Sequence, residues 1–124
     1  MIRRHRRAFG VTLGEHQGVQ FRLADMATKI SAARLLVRQA AEAKDRGERA
    51  DLPSGMAKLF ATEAAREVAD DAFRLHGANG YAKGFEIERL VRDVLSLTSA
   101  EGPSDIQRMI IGRALLRETP APPH

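Results

Sequence analysis

Apolar side chains recur every three or four positions between residues 17 and 46, which is the period of one face of an α-helix. The stripe alternates spacings of four and three, and consists of Val19, Leu23, Met26, Ile30, Ala33, Val37 and Ala40. It predicts a long helix from Gln17 to about Arg46, which Gly47 ends as a left-handed cap. The alanines of the stripe favour close packing against a neighbouring helix.

A second helical stripe follows the polar turn "GERADLPSG". Ser54 is the predicted N-cap, because its side-chain oxygen can accept a hydrogen bond from the first free N–H groups of a helix. The predicted buried side carries Met56, Phe60, Ala64, Val68, Ala72 and Leu75. Gly77 is expected to end this helix, and the stretch "HGANGYAKG" around it is predicted to be a tight loop.

Two shorter helices complete the pattern. One lies around residues 87–94, and the other runs from about Pro103 to Leu116. Pro103 suits the first helical position, where its missing N–H costs no hydrogen bond. The sequence contains no alternating strand pattern and no internal repeat. It therefore predicts an all-α protein, an up-down helical bundle of four helices.

The 124 residues are enough for one domain. We expect a basic arm and irregular lead-in over residues 1–16, the helical bundle over 17–118 and a disordered tail over 119–124. Some apolar residues lie outside the main stripe of the first helix, namely Phe21, Leu35 and Leu36. This surplus is more than four helices cover, so the chain either associates with itself or has lost a neighbour.

The net charge of +4 comes from the N-terminal arginines 3, 4, 6 and 7, since the remaining chain carries 16 basic and 16 acidic residues. Without a basic face or stacking aromatics, no nucleic-acid binding is expected. No stretch approaches the roughly 20 apolar residues of a membrane span, and no signal peptide is recognised. The absence of cysteine excludes disulfides, and it is what we expect of a protein in the reducing cytoplasm.

Few residues have the spacing of a known site. The four histidines are scattered, and no ligand set for a metal ion is formed. Nucleophile triads, phosphate loops and dinucleotide fingerprints are also absent. Glu101, in "AEGPSDIQRM", directly precedes an apolar helix. Two interpretations stay open: an acid that stabilises a helix N-terminus, or the base of an active site whose other walls lie elsewhere.

Four segments of the chain carry a family resemblance. They are "RRAFGVTLGEHQGVQFRLADM", "SGMAKLFATEAAREVADDAFRLHGANGY", "EIERLVRDVL" and "AEGPSDIQRMIIGRALL". In this order they resemble the opening segment, the helix with its glycine-rich loop, the "V-E-R-x-x-RD" element and the "EGT-x-x-I-Q-R" terminus of the last domain of acyl-CoA dehydrogenases. The resemblance covers residues 6–116, which is nearly the whole chain.

The resemblance implies FAD-dependent α,β-desaturation of acyl-CoA thioesters. Glu101 falls on the glutamate that takes the α-proton in many family members, while the β-hydrogen passes to the flavin as hydride. Arg6 falls on the arginine that reaches the FAD pyrophosphate of a neighbouring subunit. Phe9 and Gln17 match further flavin-side positions, and Gly77 matches the loop beside the ADP half of the cofactor.

Several residues depart from the family pattern where the flavin would lie, namely Arg74, Ala78, Ala100, Pro103 and Asp105. The family's N-terminal helical domain and middle β-domain, which form most of the acyl-CoA pocket, have no counterpart here. We therefore expect a C-terminal domain that contributes FAD contacts, a base and oligomer packing, and that is inactive alone. Its partners would be further copies or a chain with the other domains. The alternative is a non-enzymatic oligomerisation module that has lost flavin binding.

Overall fold

The computed structural model describes residues 6–100 and 102–118. Its elements in chain order are β1 (Arg7–Ala8), β2 (Val11–Thr12), a 3-10 helix (Leu13–Glu15), α1 (Gln17–Asp45), α2 (Asp51–His76), α3 (Ala78–Tyr81), α4 (Glu86–Leu97) and α5 (Ser104–Glu118). The four predicted helices correspond to α1, α2, α4 and α5, so the all-α class is confirmed. The predicted tail and Glu101 lie outside the described residues.

The end of α1 is as predicted. Gly47 has a φ of +72°, which is the left-handed conformation that a helix cap requires. Its N–H donates to Lys44 O at 3.0 Å, and the N–H of Glu48 donates to Ala43 O at 3.0 Å. These two bonds form a Schellman motif, which satisfies carbonyls that the last turn leaves free.

The start of α2 differs from the prediction. The helix begins at Asp51, and the N–H of Ser54 donates to Ala50 O at 2.9 Å, so Ser54 lies inside the helix and is not its N-cap. Pro53 occupies the first turn, where a residue without an N–H breaks no intrahelical bond. A proline there does not stop the helix from extending upstream of it.

The lead-in segment is more regular than predicted. β1 and β2 pair antiparallel and form a small hairpin. Phe9 and Gly10 make its two-residue turn with φ values of +52° and +85°, the sign that matches the twist of such hairpins. Strands of two residues show no alternation in a sequence, so the pattern could not predict them.

The glycine-rich stretch after α2 also contains an element that was not predicted. α3 is a single helical turn, and its Gly80 is buried against α2. A Cβ at Gly80 would lie 2.8 Å from Phe73 O and 3.0 Å from the ring of Phe73. The missing side chain therefore lets this turn rest directly on the backbone of α2.

The core is centred on α2, against which α1, α4 and α5 pack. Its buried apolar members are mostly small, namely Ala40, Ala43, Ala57, Ala64, Ala69 and Ile87. Among the described residues no large side chain is fully buried. Small residues at the contacts bring the helix axes close together, and they leave the larger apolar side chains at the periphery.

Much of that periphery is apolar. Phe21 and Leu35 of α1 are 61% and 66% exposed. An open groove of about 830 Å³ lies among α1, α2 and α4. Its lining is aliphatic except for Arg34 and Arg38. The surplus of apolar surface expected from the sequence is thus present. No helix in the described ranges has both the length and the hydropathy to cross a membrane.

Candidate functional site

Arg6 lies against the C-terminal end of α2. Its Nη1 donates to His76 O and, at 3.5 Å, to Leu75 O. The last carbonyls of a helix lack intrahelical partners and carry partial negative charge, so they attract a cation. The backbone of Arg6 is fixed as well, because Leu13 N–H donates to its carbonyl at 2.8 Å.

Gly77 makes room for this guanidinium. A Cβ at Gly77 would lie 2.9 Å from Nη2 and 3.1 Å from Nη1 of Arg6. The φ of Gly77 is +59°, which other residues adopt only with strain. The structure therefore brings together two of the residues that the sequence assigned to cofactor binding.

Phe9 and Gln17 lie at the neighbouring junction of the hairpin with α1. Phe9 is 97% exposed, and its ring meets the edge of the His16 ring with centroids 6.2 Å apart. His16 Nε2 pairs with Ala8 O at 3.0 Å, which holds the hairpin against the start of α1. Gln17, the first residue of α1, is exposed. Both predicted residues thus present exposed surface, and Phe9 contacts only the edge of His16 among the described rings.

The loop from Thr98 to Gly102, here called the Glu101 corner, lies between α4 and α5. Glu101 itself is outside the described residues, but its flanks are not. Lys58 Nζ donates to Leu97 O at 2.8 Å and to Gly102 O at 3.1 Å. The backbone path of the corner is therefore attached to the first half of α2.

The two candidate regions are far apart within one chain. Lys58 and His76 are 18 residues apart on α2, a rise of about 27 Å in a straight helix. Arg6 and Gly77 lie at the C-terminal end of that stretch, and the Glu101 corner is attached at the other end. Both regions of one chain cannot converge on a single small reacting group.

Two of the residues that depart from the family pattern, Arg74 and Asp105, form hydrogen bonds at the surface. Arg74 Nε donates to Asp70 Oδ2 at 3.0 Å, four residues earlier on α2. Asp105 accepts from Arg108 Nη1 at 3.1 Å, and Arg108 also donates to Glu63 on α2 at 2.9 Å. These hydrogen bonds raise the pKa of Arg108, with Glu63 as the larger cause. Ala78 is exposed on α3.

A cleft of about 760 Å³ lies among α2, α4 and α5, next to Asp105 and Arg108. Its lining combines apolar side chains with four acidic and two basic residues, namely Glu63, Glu67, Asp70, Asp105, Arg66 and Arg108. The Ser104 hydroxyl is buried beside it and has no hydrogen-bond partner in the described part of the chain. Within residues 6–100 and 102–118, no group of three or more histidines and carboxylates is arranged to hold a metal ion.

Sequence reasoning missed Lys58 and Gln107. Gln107 is 9% exposed, and its amide lies against Gly102. A polar residue within the apolar pattern of α5 was the available signal for Gln107. Lys58 is the only lysine of α2, although nothing in the sequence shows which carbonyls it meets.

Comparison with known proteins agrees with this architecture. Residues 2–116 match the family described as acyl-CoA dehydrogenase, C-terminal domain. The 3-(aryl)acrylate reductase of Clostridium sporogenes is 45% identical over 92% of this chain and 30% of its own length.

Comparison with solved structures supports the same family. The butyryl-CoA dehydrogenase of Megasphaera elsdenii superposes with a TM-score of 0.92 at 35% identity, over 94% of this chain and 30% of that one. An FAD complex of PigA superposes with a TM-score of 0.90 at 27% identity, over 95% of this chain and 31% of that one. The chain spans about 30% of the length of the relatives it matches. It therefore belongs to the acyl-CoA dehydrogenase family and corresponds to the C-terminal helical domain of those flavoproteins.

Proposed function

We propose that this chain is the C-terminal part of an FAD-dependent enzyme that desaturates acyl-CoA thioesters between their α and β carbons. The observation that carries the proposal is the contact between Arg6 and Gly77, since a side chain at residue 77 would collide with the guanidinium. An arginine fixed in this way offers a rigid fork of donors, which suits phosphate oxygens.

The donors of this region fit the pyrophosphate of FAD. Nη1 of Arg6 is used by the end of α2, whereas Nε and Nη2 have no acceptor within residues 6–100 and 102–118. Those two groups are the pair that a bidentate phosphate contact uses. Phe9 in the hairpin turn and Gln17 at the start of α1 are exposed and supply further surface. When bound, FAD supplies the acceptor for the hydride that leaves the β-carbon.

Glu101 is the base in this proposal and takes the α-proton of the thioester. The carboxylate must be ionised before the reaction, because only then can it accept the proton. Lys58 attaches the carbonyls of Leu97 and Gly102, which lie on either side of residue 101 in the chain, to α2. In this proposal the chain thus contributes the proton acceptor of the reaction.

A complete site needs more than one copy of this domain. Because about 27 Å of α2 separates the two regions, Arg6 of one copy and Glu101 of the same copy would serve different flavins. A neighbouring copy that presents its Arg6 end near the Glu101 corner would complete each site. The exposed apolar side chains of α1 provide surface for such an assembly.

The alternative function is a helical oligomerisation module without a cofactor. The pairing of Arg74 with Asp70 and of Asp105 with Arg108 favours it, because both departing residues are engaged in surface contacts of their own. Pro103 also has neither the hydroxyl nor the N–H of the family's threonine. In this alternative Glu101 is only an acid at a helix start.

Gel filtration of the purified chain with added FAD distinguishes the two functions. Protein and flavin absorbance are recorded together for the parent chain, Arg6→Ala and Arg113→Ala. Arg113 is a matched control, since it is an exposed arginine of α5 with no acceptor within the described residues. We expect flavin to co-elute with an oligomer of the parent chain and of Arg113→Ala, and to be lost from Arg6→Ala.

Two outcomes contradict the proposal. An oligomer of the parent chain that elutes free of flavin would indicate the packing module instead. Equal flavin retention by Arg6→Ala and the parent chain would remove Arg6 from the site.

A further inference from the structure

Lys58, in the first half of α2, holds two carbonyls that lie on either side of Glu101. Its Nζ reaches Leu97 O and Gly102 O at 2.8 Å and 3.1 Å. Leu97 is the last residue of α4, and Gly102 directly follows Glu101. One ammonium group therefore connects the entry and the exit of the Glu101 corner to the same point of α2.

Both carbonyls are suited to a cation. The carbonyls at the end of α4 carry the partial negative charge of a helix C-terminus. Gly102 precedes Pro103, and no backbone N–H among the described residues bonds to Gly102 O. Hydrogen bonds from an ionised donor are about twice as strong as those between neutral groups. Removal of the ammonium would thus remove the two hydrogen bonds that attach the flanks of the corner to α2.

Two further contacts close the corner. Ser104 N–H donates to Thr98 O at 3.3 Å, which joins its ends a second time. Gly102 has a φ of +110°, and a Cβ there would lie 2.5 Å from Nε2 of the buried Gln107. Only a residue without a side chain therefore fits between the backbone at residue 102 and Gln107 of α5. Lys58 supplies the corresponding restraint from α2.

We propose that Lys58 is the positioning residue of the candidate base. It acts through the backbone at Leu97 and Gly102, by holding these two flanks of the Glu101 corner to the same point of α2. The inference rests on the proposed function, because only there does Glu101 have a proton to take. The restraint itself is a property of this chain and is measurable without cofactor or substrate.

Cleavage of the full chain by a glutamate-specific protease tests the restraint. The bond between Glu101 and Gly102 reports on the corner, while bonds after Glu63 and Glu88 lie inside helices and report on general unfolding. Mass spectrometry follows all sites in one reaction. The variants are Lys58→Met, which keeps the apolar stem, and Lys58→Arg, which keeps a cation with several donors. Lys83→Met, in the exposed loop before α4, is the control.

We expect cleavage after Glu101 to be about tenfold faster in Lys58→Met, as for the loss of charged hydrogen bonds from a local structure. The helix sites should keep the parent rate. Lys58→Arg should be cleaved at nearly the parent rate, and so should Lys83→Met. If Lys58→Met does not fold, Lys58→Gln is judged by the same comparison.

An unchanged rate after Glu101 in Lys58→Met overturns the proposal. So does a rate that rises equally at every site, because Lys58 would then stabilise the domain in general and not the corner.

Activity in an assembly with the other domains separates this inference from the proposed function. We expect Lys58→Met to lower kcat about tenfold with KM within about twofold, and Lys58→Arg to restore most of kcat. Full activity of Glu101→Gln would make the proposed base wrong, while the protease result would still decide the restraint. An active Lys58→Met beside an inactive Glu101→Gln would make Lys58 dispensable for the base.

Discussion

The absent side chain of Gly77 is what allows Arg6 to lie on the end of α2. We predict that Gly77→Ala destabilises the chain by about 1–3 kcal/mol, because alanine at a φ of +59° is strained and its Cβ would meet the guanidinium. The same change should release Arg6 from His76 O. Urea unfolding followed by circular dichroism measures the first effect, and the flavin co-elution described above measures the second.

Gly18→Ala is the matched control for that substitution. Gly18 lies in the first turn of α1, and nothing is within 4 Å of the position its Cβ would take. Alanine there should stabilise the helix by up to about 1 kcal/mol. A Gly77→Ala chain as stable as the parent would mean that the contact of Arg6 with α2 adds nothing to folding.

An ion pair between α1 and α2 makes the folding stability of the chain fall at alkaline pH. Lys29 Nζ lies 2.5 Å from Glu67 Oε2, and this hydrogen bond is the main cause of the raised pKa of Lys29. A lysine whose folded pKa exceeds its unfolded value of 10.5 stabilises the fold at lower pH. That contribution is lost as the pH rises through the folded pKa.

We therefore predict that Lys29→Met is less stable than the parent chain at pH 8 and that the difference shrinks above about pH 10.5. Salt should reduce the difference at pH 8, since the pair is exposed. Thermal unfolding across this pH range measures both, with Lys83→Met as the control. A stability difference that stays constant up to pH 12 would assign the effect to packing.

The helices were predictable from the sequence to the extent that their apolar stripes are regular. The spacing in α1 and the glycine at residue 47 gave both its length and its end. The start of α2 was misplaced because Pro53 is compatible with a first turn as well as with a loop. α3 depends on the contact of Gly80 with Phe73, which no local pattern contains.

The site was less predictable because its contacts join distant parts of the chain. The glycine at residue 77 was recognised as a helix stop, but its contact with Arg6, some 70 residues earlier, appears only in three dimensions. Lys58 likewise meets carbonyls about 40 residues away. The roles of Glu101 and Arg6 came from the resemblance, and no physical rule separates Glu101 from an ordinary acid at a helix start.

As a whole, the molecule has a core too small for its apolar content. Among the described residues, six with mainly short side chains form the buried apolar set, while many large apolar side chains remain exposed on several helices. The apolar groove among α1, α2 and α4 shows that part of this surface is continuous, and an exposed apolar patch indicates an interaction site. The chain spans only about 30% of its relatives' length, so two kinds of cover are available: further copies, or the domains that those relatives carry.

The face of α1 that carries Phe21 and Leu35 allows a test of whether further copies or other domains cover the apolar surface. The two side chains are 14 residues apart on α1, which places them on nearly the same face of the helix.

We predict that the chain sediments as an oligomer of its 13.6 kDa unit and that Leu35→Glu shifts it to the monomer. Gln39→Glu, an exposed position of the same helix, adds the same charge without removing apolar surface and should leave the oligomer intact. Sedimentation velocity at tens of micromolar distinguishes the species. A parent chain that sediments as a monomer would assign this face to domains such as those of the longer relatives, and the two-copy site would then require an assembly that includes them.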